Sequence, residues 1–241
     1  MNYDDAVEIA EGVHWIGFFD EHAKFQCNPY LLIDGDEAVL FDPGSVPHFP
    51  IVARKVISVI DPKKISTIIV THQDPDLSGS IPVFEDLIAN PKLKIVSLAV
   101  TTFFLSHYGM KSPFYLIDNN KDKLVLDSGR ELKFIRTPYM HSPGAFTTYD
   151  AKTKILFSGD IFGCFSAVDN LFAGDDYLNK MKGFHSNYIP SQKAMISAME
   201  KFEKLDLEMI ATQHGSIIKK DKIKAAIDFL KNLECGLYLK R

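Results

Sequence analysis

Four apolar segments of this chain are each followed closely by a side chain that can ligate a metal. The pairs of segment and side chain are residues 65–70 with His72, residues 132–140 with His141, residues 155–159 with Asp160, and residues 209–211 with His214. Short apolar segments predict buried strands, and α/β proteins carry functional side chains just beyond the ends of such strands. The chain is therefore expected to form sheets on which these side chains meet.

Further carboxylates occupy similar positions. Asp74 and Asp76 follow His72 by two and four residues, and Asp42 follows the apolar residues 39–41. Each Asp alone can be explained as a turn former or a helix N-cap. Three imidazoles and three carboxylates gathered at strand ends would, however, bring like charges close together, which is unfavourable unless cations lie among them. The pattern therefore predicts a metal site. The remaining histidines that precede residue 141 are interpreted as ordinary surface or core residues: His14, His22, His48 and His107.

The order of elements predicts an α/β protein with a single domain over residues 1–241. Predicted strands lie within residues 7–19 and at 30–33, 38–41, 65–70, 94–100, 123–126, 132–135, 146–149, 155–157 and 207–210. Helices are predicted around residues 52–59, at 81–88, around 195–202 and at 223–233, the last closed by Gly236. Two β-rich halves, each followed by helices, indicate two packed sheets with helices outside.

Composition excludes several partners. The 241 residues carry 27 basic and 31 acidic side chains, a net charge of −4, so nucleic acid and anionic membrane surfaces are not expected partners. No apolar segment is long enough to span a bilayer, and the first ten residues lack the basic and apolar regions of a secretory signal. Cys27, Cys164 and Cys235 are far apart and form no C-x-x-C pair. A cytoplasmic location is expected.

The ligand-type residues resemble a known superfamily. His-x-Asp-x-Asp at residues 72–76, followed in order by His141, Asp160 and His214, resembles the metallo-β-lactamase fold. Hydrolases of that fold typically carry His-x-His-x-Asp-His, whereas flavodiiron proteins carry His-x-Glu-x-Asp-His. Asp74 is a carboxylate at the second position, and residues 186–190 through 209–215 also resemble the flavodiiron pattern. The resemblance covers nearly the whole chain and implies an αββα sandwich of two mixed sheets.

The resemblance also implies a ligand set for two iron ions, bridged by oxide or peroxide, with Mn or Zn as possible substitutes. His72, Asp74 and His141 would hold one metal, Asp76 and His214 the other, and Asp160 would bridge them. Leu77 stands where the family has a histidine, so the second metal would have an open ligand position.

Other side chains are expected to support this centre. Asp42 is interpreted as an acceptor that orients a ligand imidazole. His185, taken as a loop residue, is interpreted as an ordinary histidine, with a polar group that supports the ligands or a substitute ligand as the alternatives. The nearby phenylalanines are interpreted as core, with exclusion of water from the metals as the alternative: Phe162, Phe165, Phe172 and Phe184.

Three functions remain open at this stage. Flavodiiron enzymes continue into a flavodoxin domain that holds FMN, whereas only residues 215–241 follow His214 here, so no bound FMN is expected. The leading interpretation is an O2-binding di-iron protein, similar to those described as sensors for bacterial chemotaxis, with signalling proteins as partners and a homodimeric state. The alternatives are an O2 or NO reductase that uses a separate flavoprotein or rubredoxin as electron donor, and a zinc hydrolase of the lactamase or glyoxalase type.

Overall fold

The structure is a computed structural model that describes residues 3–240. Its strands are β1 (Val7–Ala10), β2 (Val13–Trp15), β3 (Phe18–Asp20), β4 (Phe25–Cys27), β5 (Tyr30–Asp34), β6 (Glu37–Phe41), β7 (Ile65–Ile69), β8 (Lys94–Ser97), β9 (Phe114–Leu116), β10 (Lys123–Val125), β11 (Glu131–Arg136), β12 (Phe146–Asp150), β13 (Ile155–Gly159), β14 (Met209–Thr212) and β15 (Ile218–Lys219). Its α-helices are α1 (Phe49–Val59), α2 (Pro75–Ser78), α3 (Ile81–Ile88), α4 (Ala99–Leu105), α5 (Tyr177–Tyr188), α6 (Gln192–Phe202) and α7 (Lys220–Lys231). The predicted α/β class is confirmed.

The contacts divide the chain into two compact units. Of the described residues, the N-terminal unit contains 3–19 together with 27–132, and the C-terminal unit contains 20–26 together with 133–240. Each unit has its own strands, helices and buried side chains. The single domain expected over residues 1–241 stays a prediction.

The sheet of the N-terminal unit has the strand order β1-β2-β5-β6-β7-β8-β9. The pairs from β1 to β6 are antiparallel, whereas β6, β7, β8 and β9 run parallel to one another. The turn-forming residues Asp34-Gly35-Asp36 between the predicted strands 30–33 and 38–41 indicate a hairpin, and the structure confirms it. Asp34 pairs with Glu37, and Gly35 takes the left-handed φ of 65° that a two-residue turn needs. Since β6 and β7 are parallel, the residues that follow them meet at one edge of the sheet.

Two of the predicted helices pack in this unit as expected. α1 buries Val52 and Val56 completely, and burial of each such side chain contributes about 1.5–3 kcal/mol. The same helix buries Lys55, whose Nζ donates to the carbonyl of Gly17 at 2.6 Å and lies 4.4 Å from the ring centre of Trp15. α3 has the predicted bounds of residues 81–88.

The C-terminal unit is built on the consecutive strands β11 to β15. β13 is antiparallel to β12 and parallel to β14, and β15 is antiparallel to β14. α6 and α7 pack against each other with their predicted apolar faces buried, including Met195, Met199 and Phe202 on α6. The parallel pair β13 and β14 places the residues after both strands at the same sheet edge.

Three sequence-predicted boundaries are wrong. The strand predicted over residues 94–100 ends at Ser97, because the Asp118 carboxylate accepts the N–H of Ala99 at 2.8 Å and so stabilises the start of α4. The last predicted strand, residues 207–210, lies instead at Met209–Thr212. α7 ends at Lys231 rather than at Gly236. Gly236 lies beyond the helix, where its N–H donates to the carbonyl of Ile189. These boundaries depend on contacts between distant parts of the chain.

Among the described residues, no helix has both the length and the apolar character that a bilayer crossing requires.

Candidate metal centre

The loop after β7 carries the His72–Asp76 motif. His72 is buried, and its Nε2 lies 3.7 Å from Oδ2 of Asp74. Asp74 is the N-cap residue of α2 and Asp76 lies in its first turn, so both carboxylates come from the start of this short helix. Leu77 is completely buried and has no atom that can ligate a metal. His72 and Asp74 belong to a group of His and Asp side chains that could hold a metal ion.

A hydrogen-bonded chain orients the His72 imidazole. Asp42 is buried at the end of β6 with a φ of 43°, and its carboxylate accepts the Thr71 N–H at 2.9 Å and the Thr71 hydroxyl at 3.0 Å. The same hydroxyl lies 3.2 Å from Nδ1 of His72. Because the hydroxyl hydrogen points to Asp42, its oxygen accepts the Nδ1–H of His72, which makes Nε2 the ligand atom. Asp42 therefore acts on His72 through Thr71.

In the C-terminal unit, Asp160 stands between two histidines. Its Oδ2 lies 3.1 Å from Nε2 of His141, and its Oδ1 lies 3.4 Å from Nε2 of His214. Nδ1 of His214 lies 2.9 Å from the carbonyl oxygen of Gln26, and since a carbonyl only accepts, this nitrogen carries the hydrogen. The two oxygens of one carboxylate thus face the Nε2 atoms of two imidazoles, as a bridging carboxylate requires.

Backbone geometry explains how Asp160 and His214 come so close. Asp160 follows β13, and His214 lies two residues beyond the parallel strand β14. The pairing of the two strands continues past their ends, because the N–H of Gln213 donates to the carbonyl of Gly159 at 2.8 Å. A Cβ on Gly163 would lie 2.9 Å from the Asp160 carbonyl and 3.1 Å from that of His214. A side chain at this position would therefore push the two ligand-bearing loops apart.

His141 is placed differently from the sequence expectation. β11 ends at Arg136, and His141 lies five residues further on, in the loop between β11 and β12. Backbone bonds from Thr137 to Ala145, from Tyr139 to Ser142 and from Met140 to Thr137 close this loop at 2.8–3.1 Å. His141 is therefore held by the internal bonds of a loop and not by a strand end.

Helix α5 holds the loops that carry Asp160 and His214. The buried Tyr177 hydroxyl donates to the carbonyl of Phe162 at 3.0 Å and accepts the N–H of Ser216 at 3.1 Å. Two turns along the helix, Nε2 of His185 accepts the N–H of Phe162 at 3.0 Å. Phe162 and Ser216 lie two residues beyond Asp160 and His214, so α5 sets the spacing of these loops.

His185 is a helix residue, so its placement in a loop is wrong. Its Nδ1–H donates to the carbonyl of Met181 at 2.8 Å, so both ring nitrogens are engaged with the backbone. Burial lowers the pKa of His185 from 6.5 to about 4, which keeps the imidazole neutral. In this geometry His185 supports the Asp160 loop, and ligation of a metal would require it to give up a hydrogen bond.

Sequence reasoning missed α5, Tyr177 and Gly163. The buried residues Tyr177, Met181, Phe184 and His185 do follow a helical period, so a signal was present. Gly183 and two asparagines within the same segment weaken that signal because they lower helix propensity.

Aromatic rings lie next to His141 and His214, the two candidate ligand histidines of this unit. The ring of Phe165 lies 4.9 Å from that of His214 and 4.4 Å from that of Phe184. The rings of Phe184 and Tyr188 each lie 6.0 Å from the imidazole of His141. Phe162 and Phe184 are buried, as predicted for core residues, but Phe165 is 38% exposed and contacts a candidate ligand, so the core interpretation is wrong for Phe165.

The donor chemistry of both units fits transition metals. Imidazole nitrogens together with carboxylate oxygens suit iron, manganese and zinc, and each unit holds at least one imidazole within 4 Å of a carboxylate. The hydrogen bonds at His72 and His214 direct Nε2 toward those carboxylates.

Solved structures with the same fold define the class of protein. The rubredoxin oxygen:oxidoreductase of Desulfovibrio gigas superposes with a TM-score of 0.85 over 94% of this chain and 60% of its own, at 24% identity. The apo state of the chemotaxis sensor ODP from T. denticola matches with a TM-score of 0.83 and 32% identity, over 98% of this chain and 96% of the sensor. A structure described as the peroxy diiron species of chemotaxis sensor ODP matches with a TM-score of 0.81 and 31% identity over 98% of both chains. The predicted metallo-β-lactamase-like fold is confirmed.

Within that fold, the chain belongs to the family described as ODP family beta lactamase, whose model matches residues 25–215. Curated relatives include the diflavin flavoprotein A 1 of Synechocystis sp., 30% identical over 199 residues, and the flavo-diiron protein FprA2 of Clostridium acetobutylicum, 28% identical over 206 residues. The matches cover 80% and 83% of this chain, but only 34% and 51% of those relatives. The chain thus spans about a third to a half of the length of these relatives.

Proposed function

We propose that the candidate ligand residues hold a dinuclear iron centre, and that the protein uses this centre to bind O2 as a sensor. The observation that carries this proposal is Asp160, whose two oxygens face Nε2 of His141 at 3.1 Å and Nε2 of His214 at 3.4 Å. A carboxylate in this position can bridge two ions. Membership of the ODP family, and the likeness to a structure titled as a diiron chemotaxis sensor, favour iron as the metal.

The proposed ligand set is His72, Asp74 and His141 for one ion and Asp76 and His214 for the other, with Asp160 shared. Three carboxylates carry a charge of −3 against +4 for two divalent ions, so a single small anion would bring the centre close to neutrality. Carboxylates in place of imidazoles make the donor set harder, which favours iron or manganese.

The protein side chains have distinct tasks in this proposal. Thr71 and Asp42 hold the His72 ring so that Nε2 faces the metal, and the Gln26 carbonyl does the same for His214. Phe165, Phe184 and Tyr188 cover the imidazoles with apolar surface, which limits access of water to the centre. When bound, a ferrous pair supplies two electrons to O2.

Binding without turnover is favoured by Leu77. This buried side chain follows Asp76, where the flavodiiron pattern has a histidine, so the second ion would have one nitrogen donor fewer from the protein. An ion with fewer strong donors keeps a position for a small molecule. A sensor role would also require signalling proteins as partners, for which the T. denticola chemotaxis sensor is the precedent.

A second candidate function is reduction of O2 or NO with electrons from a separate flavoprotein or rubredoxin. The observation in its favour is the likeness of this chain to part of each flavodiiron relative, among them an anaerobic nitric oxide reductase flavorubredoxin of Aeromonas salmonicida, 22% identical over 93% of this chain. The two functions predict different behaviour in air.

The test is to load metal-free protein with ferrous iron under anaerobic conditions and then to admit O2. A visible absorption band that persists, with O2 uptake that stops at a fixed ratio to iron, is the result expected of a sensor. Continued O2 consumption in the presence of rubredoxin and its reductase would instead establish the reductase. Purified protein that contains zinc alone and fails to take up ferrous iron would contradict both.

A further inference from the structure

A surface groove next to the His141 loop has chemistry that the proposed metal centre does not use. The groove has a volume of about 500 Å³ and lies entirely in the C-terminal unit. One wall is the His141 loop, with Pro138 and Tyr139, and the other is α6 together with Pro190, which precedes that helix. We name it the His141-loop groove.

The surface that lines this groove is mostly apolar. Ala194 and Ala198 of α6 contribute small side chains to the lining, and Tyr139 lines the groove while 53% of its surface is exposed. Tyr139 has a φ of 66°, a conformation that costs energy for any residue with a side chain. The backbone of the loop therefore presents an exposed aromatic ring at an energetic cost, which burial of the ring in the core does not offset.

The charge at the rim is of one sign. Lys193 and Lys201 line the groove, and none of the described residues that line it is acidic. Lys201 is held in place because its Nζ donates to the carbonyl of Arg136 at 2.6 Å. The whole chain, by contrast, has a net charge of −4. A positively charged groove on a negatively charged protein is complementary to an acidic partner.

The groove and the candidate ligand His141 share a loop. Tyr139 lies two residues before His141, and its N–H is bonded to the carbonyl of Ser142 at 2.8 Å, which encloses His141 in the same turn. At the opposite wall, Pro190 lies two residues after Tyr188, whose ring is 6.0 Å from the imidazole of His141. A partner that moves Tyr139 or Pro190 would therefore also move groups that contact His141.

We propose that the His141-loop groove binds an acidic segment of a partner protein, with apolar side chains in the groove and carboxylates at Lys193 and Lys201, and that metal at His141 changes the affinity of this binding. The second part rests on the proposed function. Because binding at two coupled sites is reciprocal, the segment must in turn change the affinity for the metal.

The test uses a fluorescein-labelled ten-residue peptide that alternates glutamate with leucine, titrated with metal-free and iron-loaded protein and followed by fluorescence anisotropy. The double variant Lys193→Glu/Lys201→Glu is expected to bind the peptide at least about tenfold more weakly, and Tyr139→Ala is expected to weaken binding as well. The matched control is Lys63→Glu/Lys64→Glu, which reverses two lysines in the N-terminal unit and should leave binding unchanged. Iron loading should change the affinity of the unmodified protein by about fivefold.

Several results would overturn the proposal. Equal weakening by both double variants would mean that the peptide responds to net charge and not to the groove. Binding that needs Lys193 and Lys201 but is the same with and without iron would refute the coupling to His141. Binding that needs these lysines in a protein that takes up no iron would leave the groove standing while the proposed function fails.

Discussion

The two units hold their candidate ligands by different means. In the N-terminal unit, His72, Asp74 and Asp76 lie within five consecutive residues, and the hydrogen bonds that orient the His72 imidazole come from the neighbouring Thr71 and from Asp42 at the adjacent strand end. In the C-terminal unit, His141, Asp160 and His214 come from three separate loops. The spacing of the Asp160 and His214 loops depends on α5, through Tyr177 and His185. The first set is fixed locally and the second by tertiary structure.

This difference predicts that substitutions in the two units affect metal binding to different extents. A change in the local motif should affect one ion, whereas a change at the shared carboxylate or at α5 should affect both. Four experiments examine this comparison.

The largest effect is expected from Asp160→Ala. Because both oxygens of Asp160 face imidazoles, its removal should abolish binding of both ions, whereas Asp74→Ala should retain one. The loss of metal affinity should exceed the factor of about 10–100 that follows from removal of a group that only hydrogen-bonds to a ligand. Elemental analysis measures the metal content, and competition with a chelator measures the affinity. Asp206→Ala, at an exposed ion pair with Lys154, is the control. Equal metal content in Asp160→Ala and Asp74→Ala would refute the bridging role.

The next effect concerns pH and His185. The folded protein keeps His185 neutral down to pH of about 4, whereas the unfolded chain takes up a proton below pH 6.5, so protons favour unfolding between these values. The free energy of unfolding of metal-free protein should therefore fall as the pH drops from 6.5 to 4, by at most about 3 kcal/mol from this group. Urea titrations across this range measure it. In His185→Gln this part of the pH dependence should be absent, and an unchanged slope would show that His185 is not buried as a neutral base.

A smaller effect is expected from the local chain in the N-terminal unit. Thr71→Val removes the hydroxyl that links Asp42 to His72, and should lower the affinity for one ion by about 10–100-fold while the other remains. Isothermal titration with Co(II) separates the two binding steps. Ser97→Ala removes a buried hydroxyl that donates to the Val70 carbonyl and should change neither step. Weakening of both binding steps in Thr71→Val would show that the effect of Thr71 is not confined to the ion bound by His72.

The smallest effect is expected from Tyr177→Phe. Loss of one hydroxyl that bonds to the Phe162 carbonyl and the Ser216 N–H costs about 1 kcal/mol and should alter both Co(II) steps by about fivefold, together with the visible Co(II) spectrum. Tyr149→Phe loses a comparable bond, to the Asp206 carbonyl at 2.9 Å, and should leave the spectrum unchanged. If both variants lose the same stability and neither alters the spectrum, α5 has only a general structural role.

The contrast between the units also explains what the sequence revealed. Short apolar segments and helical spacing located most strands and α3 to within a few residues, and the hairpin at Gly35 followed from its turn residues. Asp42 was predicted to orient a ligand imidazole, and it does act on His72. The prediction did not include the Thr71 hydroxyl, which lies between the Asp42 carboxylate and the imidazole. The identity of the ligand residues came from spacing and from the family pattern, and it stays a prediction until a metal is measured.

The parts that escaped sequence reasoning depend on distant contacts. α4 begins at Ala99 because of Asp118, nineteen residues away, and His185 is buried because α5 packs over the Phe162 loop. The need for glycine at 163 arises only because the Asp160 and His214 carbonyls both lie close to this residue. None of these partners is adjacent in sequence, so local sequence patterns cannot predict the contacts between them.

The proposed function requires two iron ions that lie next to each other in one centre. X-ray absorption at the iron edge of protein loaded under anaerobic conditions tests this most directly. The account predicts two irons per chain and an iron–iron scattering distance of about 3.5–4 Å. A single iron per chain, or two irons without any iron–iron scattering, would contradict it.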